Sequence, residues 1–105
     1  MTNLKGRAAV LWREHLRLIL LQLLAEQPGY RANTALLADA AAELGFGGTR
    51  EQVEAHLGWL SDQGLAVIAD RGAVLIAVAT GAGLDVASGR RQMSGVRVPT
   101  PDYES

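Results

Sequence analysis

The polar residues most suited to recognition chemistry lie together at the start of a predicted helix. Thr49, Arg50 and Gln52 fall in its first turn. Arginine and glutamine are side chains that read guanine and adenine in the major groove, and the first turn is the part that usually meets bases. The outward face of this helix also carries Glu51 and Asp62, whose carboxylates repel phosphate. Two interpretations therefore stay open, a DNA-reading helix and a solvated or protein-binding helix.

Further arginines occur where phosphate contacts are common. Arg71 lies at the tip of a predicted hairpin, where it could meet phosphate or the minor groove, although such a residue is often a solvated turn residue. Arg90 and Arg91 form an adjacent pair after the last predicted helix. They could act as a DNA-contacting arm, or simply favour the helix dipole. The DNA-contacting candidates are Thr49, Arg50, Gln52, Arg71, Arg90 and Arg91.

Other site chemistry finds little support in the sequence. Without cysteine there is no disulfide or thiolate site, and the two histidines, His15 and His56, lie on separate predicted helices without metal-ligand spacing. The run Gly81–Gly83 lacks the later glycine and lysine of a phosphate loop. No serine has the context of a catalytic nucleophile. We expect no metal, no cofactor and no enzymatic activity.

Composition sets the class of protein. With 105 residues, 49% apolar and 20% charged, the chain fits one globular domain. The formal net charge of −1 counts against strong non-specific DNA binding, although a local basic patch remains compatible with it. The sequence shows neither a secretory signal nor an apolar run long enough to span a membrane. We therefore expect a cytoplasmic protein with no membrane partner.

The helix that carries the candidate residues has clear start and stop signals. Thr49 is a good N-cap, and Gln52 stands three residues later, as in a capping box. Val53 and Leu57, with Leu60, share one apolar face. Gly64 is suited to the left-handed position that ends many helices.

The other elements follow from similar signals. A first helix is predicted from Asn3 to about Glu26, a second from Thr34 to about Leu44 after the N-cap Asn33, and a fourth from the cap Thr80 to near Gly89. Residues 30–33 are expected to be a plain connection. Leu65–Asp70 and Ala73–Ala79 are two apolar runs around Arg71-Gly72, which predicts a β-hairpin.

The resulting order, α-α-α-β-β-α, predicts a mainly α protein with a small β-hairpin, a winged helix-turn-helix. The domain is expected to span residues 1–89 and to be followed by an irregular tail over residues 90–105.

The first predicted helix has two apolar faces in its C-terminal half. A helix that is apolar most of the way round is buried on more than one side, and a second subunit could cover the extra face. The alternative is that a later helix of the same chain covers it. Candidates for a homodimer interface are Leu11, Trp12, Leu16, Ile19, Leu20, Leu23 and Leu84.

Three segments carry a resemblance to a known group of proteins. LILLQLLAEQPGYRANTALLADAAAELG, TREQVEAHLGWLSDQGLAVI and ATGAGLDVASGR resemble the small winged helix-turn-helix, ArsR-like proteins of Mu-like prophages. The tail piece Ser94–Pro99 is also similar, so that the resemblance covers about residues 14–99. The resemblance implies a DNA-binding transcriptional regulator.

Two functional hypotheses follow. In the first, the protein is a phage-type transcriptional regulator that binds duplex DNA as a homodimer through the helix from Thr49 and the wing near Arg71. In the second, it is a winged-helix module that binds another protein, without DNA, in phage assembly or regulation.

Overall fold

The computed structural model describes residues 3–100. Within that range the chain forms four α-helices and a three-stranded antiparallel sheet. The helices are α1 (Leu4–Ala25), α2 (Thr34–Glu43), α3 (Arg50–Asp62) and α4 (Gly81–Ser88). The strands are β1 (Arg31–Asn33), β2 (Ala66–Asp70) and β3 (Leu75–Ala79), and a short 3-10 turn (Pro28–Tyr30) precedes β1. The predicted helical class and the order of the helices and hairpin are confirmed.

Each helix begins at a residue whose side chain caps its first turn. The side-chain oxygens of Asn3, Asn33, Thr49 and Thr80 each accept a hydrogen bond from the backbone N–H three residues later. After α3 the chain turns at Gly64, whose φ of +77° is a left-handed conformation that favours glycine. The caps predicted at Asn33, Thr49 and Thr80 and the stop at Gly64 are confirmed.

The sheet contains one strand more than the sequence predicted. β3 lies between β1 and β2 and is antiparallel to both. The hairpin of β2 and β3 matches the prediction, whereas the prediction of a plain connection at residues 30–33 is wrong. β1 has three residues, too few to show alternation, and it is extended because it pairs with β3, with Asn33 opposite Ile76.

α1 supplies the centre of the core. Leu16 and Leu20 are 1% and 0% exposed, and α2, α3 and α4 all pack against this helix. The chain itself therefore covers both apolar faces of the C-terminal half of α1. Assigning Leu16 and Leu20 to a dimer interface is wrong, because neither side chain is accessible to a second subunit.

The segment after α4 has no helix or strand up to residue 100, but it packs back on the domain. The Arg97 backbone N–H donates to the Glu14 carbonyl oxygen of α1 at 3.1 Å, and Val96 is buried. Residues 90–100 are therefore irregular but packed on the helices before them. The remainder of that predicted tail, residues 101–105, lies outside the described residues, as do residues 1 and 2.

Candidate nucleic-acid interface

The first turn of α3 is closed by a reciprocal capping box. The Thr49 backbone N–H donates to Gln52 Oε1 at 2.9 Å, and the Gln52 backbone N–H donates to Thr49 Oγ1 at 3.1 Å. Both side chains are exposed, yet each already has a structural partner. Since Oε1 of Gln52 is engaged, the amide NH₂ of this residue is the group that can meet a ligand.

Arg50 joins α3 to the hairpin. Its Nε donates to Glu54 Oε2 at 3.1 Å one helical turn later, and its Nη2 donates to the Ala73 carbonyl oxygen at 3.4 Å. Glu54 Oε2 also accepts from the hydroxyl of the buried Thr34 at 2.9 Å. Exposed ion pairs contribute about 0–1 kcal/mol. Phosphate could therefore replace Glu54 as the partner of Arg50 at little cost.

The hairpin presents Arg71 to solvent. Asp70 Oδ1 accepts from the Gly72 backbone N–H at 2.9 Å, and the Arg71 backbone N–H donates to the Val74 carbonyl oxygen at 2.8 Å. Gly72 adopts a φ of +81°, a left-handed conformation in which a residue with a side chain would be strained. These bonds close a tight turn at Gly72 and Ala73, and the preceding residue, Arg71, is exposed.

Arg90 and Arg91 are exposed in a different setting. They follow α4, which packs on α1, and the Arg91 backbone N–H donates to the Asp85 carbonyl oxygen at 3.2 Å. No hydrogen bond within residues 3–100 connects this pair to the start of α3 or to the hairpin. Arg50 thus contacts the hairpin directly, whereas Arg90 and Arg91 lie apart from both the start of α3 and the hairpin.

Arg17 forms a cluster on the other flank of α3 that the sequence did not reveal. Its guanidinium carbon lies 3.9 Å from the centroid of the Trp59 ring, a cation–π contact. Its Nε donates to His56 Nδ1 at 3.3 Å, and its Nη1 donates to the Gly95 carbonyl oxygen at 3.0 Å. Arg17 therefore holds α1, α3 and the segment after α4 together.

Next to this cluster, α1 and α3 form an open cleft of ≈ 500 Å³. It is lined by Ala9, Trp12, Arg13, Gln52 and His56. The cleft thus begins at the same helical turn that carries Arg50. One signal could have suggested it from sequence, because Arg13 and Arg17 stand at i and i+4 and must share a face of α1.

Their surroundings lower the pKa of both histidines. Burial, followed by the charges of Arg17 and Arg13, lowers the pKa of His56 below its ordinary 6.5. Burial and the charge of Arg97 lower the pKa of His15 in the same way. In neutral His56 the proton must reside on Nε2, because Nδ1 accepts from Arg17.

The remaining dimer candidates differ in accessibility. Leu11 is 55% exposed, on the N-terminal half of α1. Trp12 is half-buried, with its ring centroid 6.1 Å from that of Phe46 and 6.2 Å from that of His56. Ile19, Leu23 and Leu84 are half-buried, and the last two pack against the core of their own chain. An accessible apolar surface on α1 thus lies towards its N-terminal end, where Leu4 and Val10 are also exposed.

Two further observations concern metal binding and membrane-spanning helices. Among residues 3–100, no three His, Cys, Asp or Glu side chains are placed so that they could hold a metal ion. Over the same residues, no helix combines the length and the apolar character needed to cross a membrane.

Comparison with known proteins places the chain among phage proteins. No family model matches the chain, and no solved structure matches it. A protein of Escherichia phage Mu, named uncharacterized protein gp26, is 31% identical over 88 residues, which are 84% of this chain and 91% of that protein. The predicted similarity to Mu-type phage proteins is thereby confirmed, and its ArsR-like part stays a prediction. The chain belongs to the same family as gp26 of phage Mu.

Proposed function

We propose that this protein is a winged helix-turn-helix protein that binds duplex DNA. The succession of elements supports the proposal. A short turn joins α2 to α3, the hairpin of β2 and β3 follows α3, and β1 completes the small sheet. In helix-turn-helix proteins the second helix of the pair enters the major groove. Here that role falls to α3, with the hairpin as the wing.

The contact between Arg50 and the hairpin carries the proposal. Because Arg50 reaches the Ala73 carbonyl oxygen, the wing is held beside the first turn of α3. A duplex received by that turn would meet Arg71 on one side and Arg13, which lines the cleft with Gln52, on the other. Phosphate contacts on both sides of a reading helix fix its register on the duplex.

Charge limits the interface to a few contacts. The exposed Glu51 lies in the first turn of α3 between Arg50 and Gln52, and the exposed Asp62 ends the helix. Both carboxylates repel phosphate, and the chain carries a net charge of −1. We expect Arg50 and the Gln52 amide to contact bases and Arg71 to contact phosphate. Arg90 and Arg91 would add a separate phosphate contact.

We further propose that the protein acts as a homodimer and regulates transcription for a phage, in the cytoplasm of the host. Leu11, together with the exposed Leu4, gives the N-terminal half of α1 an apolar stripe at i and i+7 that a second copy could cover. Many helix-turn-helix proteins bind two half-sites as dimers, so such a pairing would place two α3 helices on one DNA face.

Alanine substitutions provide the test. Replacing both Arg50 and Arg71 with alanine is expected to abolish binding to the protein's preferred duplex while circular dichroism shows an intact fold. Arg71→Ala alone should weaken binding to every duplex and reduce the salt slope by about one. Arg31→Ala is the matched control, because Arg31 is exposed and pairs with Val78, away from the hairpin tip. Equal affinities of Arg71→Ala and Arg31→Ala would contradict the proposal.

A second function has a specific observation in its favour. The outward carboxylates of α3 and the exposed Leu4, Val10 and Leu11 of α1 would suit a module that binds another phage protein without DNA. In that case a duplex should fail to bind even at low salt, and substituting Leu11 with lysine should disrupt the complex with the partner protein.

A further inference from the structure

The cleft between α1 and α3 has an unusual set of polar groups. Its lining side chains, from Ala9, Trp12, Arg13, Gln52 and His56, include no carboxylate. Arginine, glutamine and histidine side chains contribute all of its ionisable or amide groups. The cleft is open to solvent, so that a group on a large ligand can enter it without any rearrangement of the backbone.

The acceptor atoms of these side chains already have partners. Gln52 Oε1 accepts from the Thr49 backbone N–H at 2.9 Å, which leaves the Gln52 amide NH₂. His56 Nδ1 accepts from Arg17 Nε at 3.3 Å, which leaves the Nε2–H of the neutral ring. The Arg13 guanidinium contains no acceptor atom, so it can only donate hydrogen bonds. Gln52 Oε1 keeps one lone pair, and the other polar groups that remain for a ligand are donors.

Positive charge behind the cleft adds to this preference. Arg17 is fixed by its stacking on Trp59 and by its bond to the Gly95 carbonyl oxygen at 3.0 Å. Burial lowers the pKa of His56, and the charges of Arg17 and Arg13 lower it further, because two cations lie near one ring. A ligand that relieved this repulsion would have to be an anion.

The geometry points to a phosphate-binding site in this cleft, which in a complex with duplex DNA takes one backbone phosphate beside the first turn of α3. A phosphate offers several acceptor oxygens to the donors that line this cleft, and the arginine fork matches its geometry. The DNA part of this inference rests on the proposed function. The chemical class of the ligand does not.

Such a contact would give α3 a second anchor. Arg71 on the hairpin and Arg13 on α1 would then contact phosphates on the two sides of the first turn of α3. Gln52 belongs both to that turn and to the cleft. Phosphate contacts of this kind set register and orientation without reading sequence.

The test follows the two histidines of the full chain by NMR. His56 lines the cleft, whereas His15 is not among its lining residues and packs edge-on to Phe46, with ring centroids 4.7 Å apart. Inorganic phosphate and a random-sequence duplex are added in separate titrations. Each is expected to raise the pKa of His56, because a nearby anion stabilises imidazolium, and to leave that of His15 unchanged.

Two variants make the assignment specific. Arg13→Gln should abolish the response of His56 to inorganic phosphate, weaken duplex binding about tenfold and lower the salt slope by about one. Arg31→Gln, which removes an equally exposed cation on β1, should leave both responses as they are.

The outcomes separate the two claims. If phosphate leaves His56 unchanged and Arg13→Gln binds duplex as Arg31→Gln does, the cleft is not a phosphate site, even though the protein binds DNA. If phosphate moves His56 but no duplex binds at low salt, the cleft takes free phosphate and the DNA role is overturned.

Discussion

The two flanks of the first turn of α3 use their cations in opposite ways. On the hairpin flank, Arg50 is bonded to Glu54 and to the hairpin backbone, so that an internal carboxylate balances its charge. On the α1 flank, Arg17 is held by an aromatic ring, a histidine and a carbonyl, and Arg13 lines a cleft without carboxylates. One flank positions the hairpin, whereas the other leaves the Arg13 guanidinium in an open cleft without carboxylates.

The largest stability effect is expected on the α1 flank. Arg17→Ala removes the stacking on Trp59 and the bonds to His56 and Gly95, which should lower the free energy of unfolding by about 2–3 kcal/mol. Urea denaturation measures this change. Arg13→Ala, from the same helix face, should stay within about 0.5 kcal/mol of the parent. Similar values for the two variants would show that the Arg17 cluster is not structural.

A somewhat smaller effect is expected at Gly95. This glycine has a φ of +95°, and a Cβ placed there would lie 2.7 Å from Trp59 Cζ2. Gly95→Ala should lower the free energy of unfolding by about 1–3 kcal/mol, from backbone strain and the displaced ring. Gly45→Ala is the matched control, because Gly45 has a φ of +94° with nothing within 4 Å. The difference between the two measures the packing of the tail on Trp59, and no difference would refute that packing.

On the hairpin flank, single changes should cost less. Thr34→Val keeps the shape of a buried side chain but removes its bond to Glu54, which still retains Arg50 as a partner. We expect a loss of about 1 kcal/mol. A double-mutant cycle with Glu54→Ala should give a coupling energy near that value. Independent, additive losses would mean that this hydrogen bond does not join α2 to α3.

The smallest effect concerns pH. Burial and neighbouring arginines lower the pKa of His15 and His56 below 6.5, so that on acidification the unfolded chain takes up protons before the folded one. The stability should therefore be complete above pH 6.5 and fall as the pH drops from there through the lowered values. His56→Gln should reduce this dependence more than His15→Gln, because burial lowers the pKa of both residues while two arginines add to the effect at His56 and one at His15. Denaturation midpoints that are flat between about pH 5.5 and 7.5 would contradict this.

Local sequence signals were sufficient for most of the secondary structure. The cap at Thr49 with Gln52 three residues on, and the stop at Gly64, depend on neighbours along the chain, and the structure confirms each. The strand Arg31–Asn33 could not be predicted in this way, because it is extended by pairing with β3 more than forty residues later. Leu16 and Leu20 were misassigned for a similar reason, since periodicity shows that a face is apolar but not what covers it.

The residues of the candidate site also differ in whether local sequence signals could identify them. Arg50 and Arg71 could be selected from the predicted helix start and hairpin tip. Arg13 and Arg17 lie on a helix that the sequence presents as apolar, and their relevance depends on where α3 and residues 93–97 pack. The donor character of the cleft depends on bonds that only the folded chain makes, such as that from Arg17 to His56.

The most direct test of the central claim is the salt dependence of duplex binding by the unaltered protein. Fluorescence anisotropy with a random-sequence duplex would be recorded over a series of salt concentrations. Phosphate contacts from Arg13 and Arg71, with one more from the Arg90–Arg91 pair, predict a linear fall of log Kobs with log salt, with a slope of about −2 to −3. No binding at low salt, or binding that does not respond to salt, would contradict a DNA-binding role for the first turn of α3.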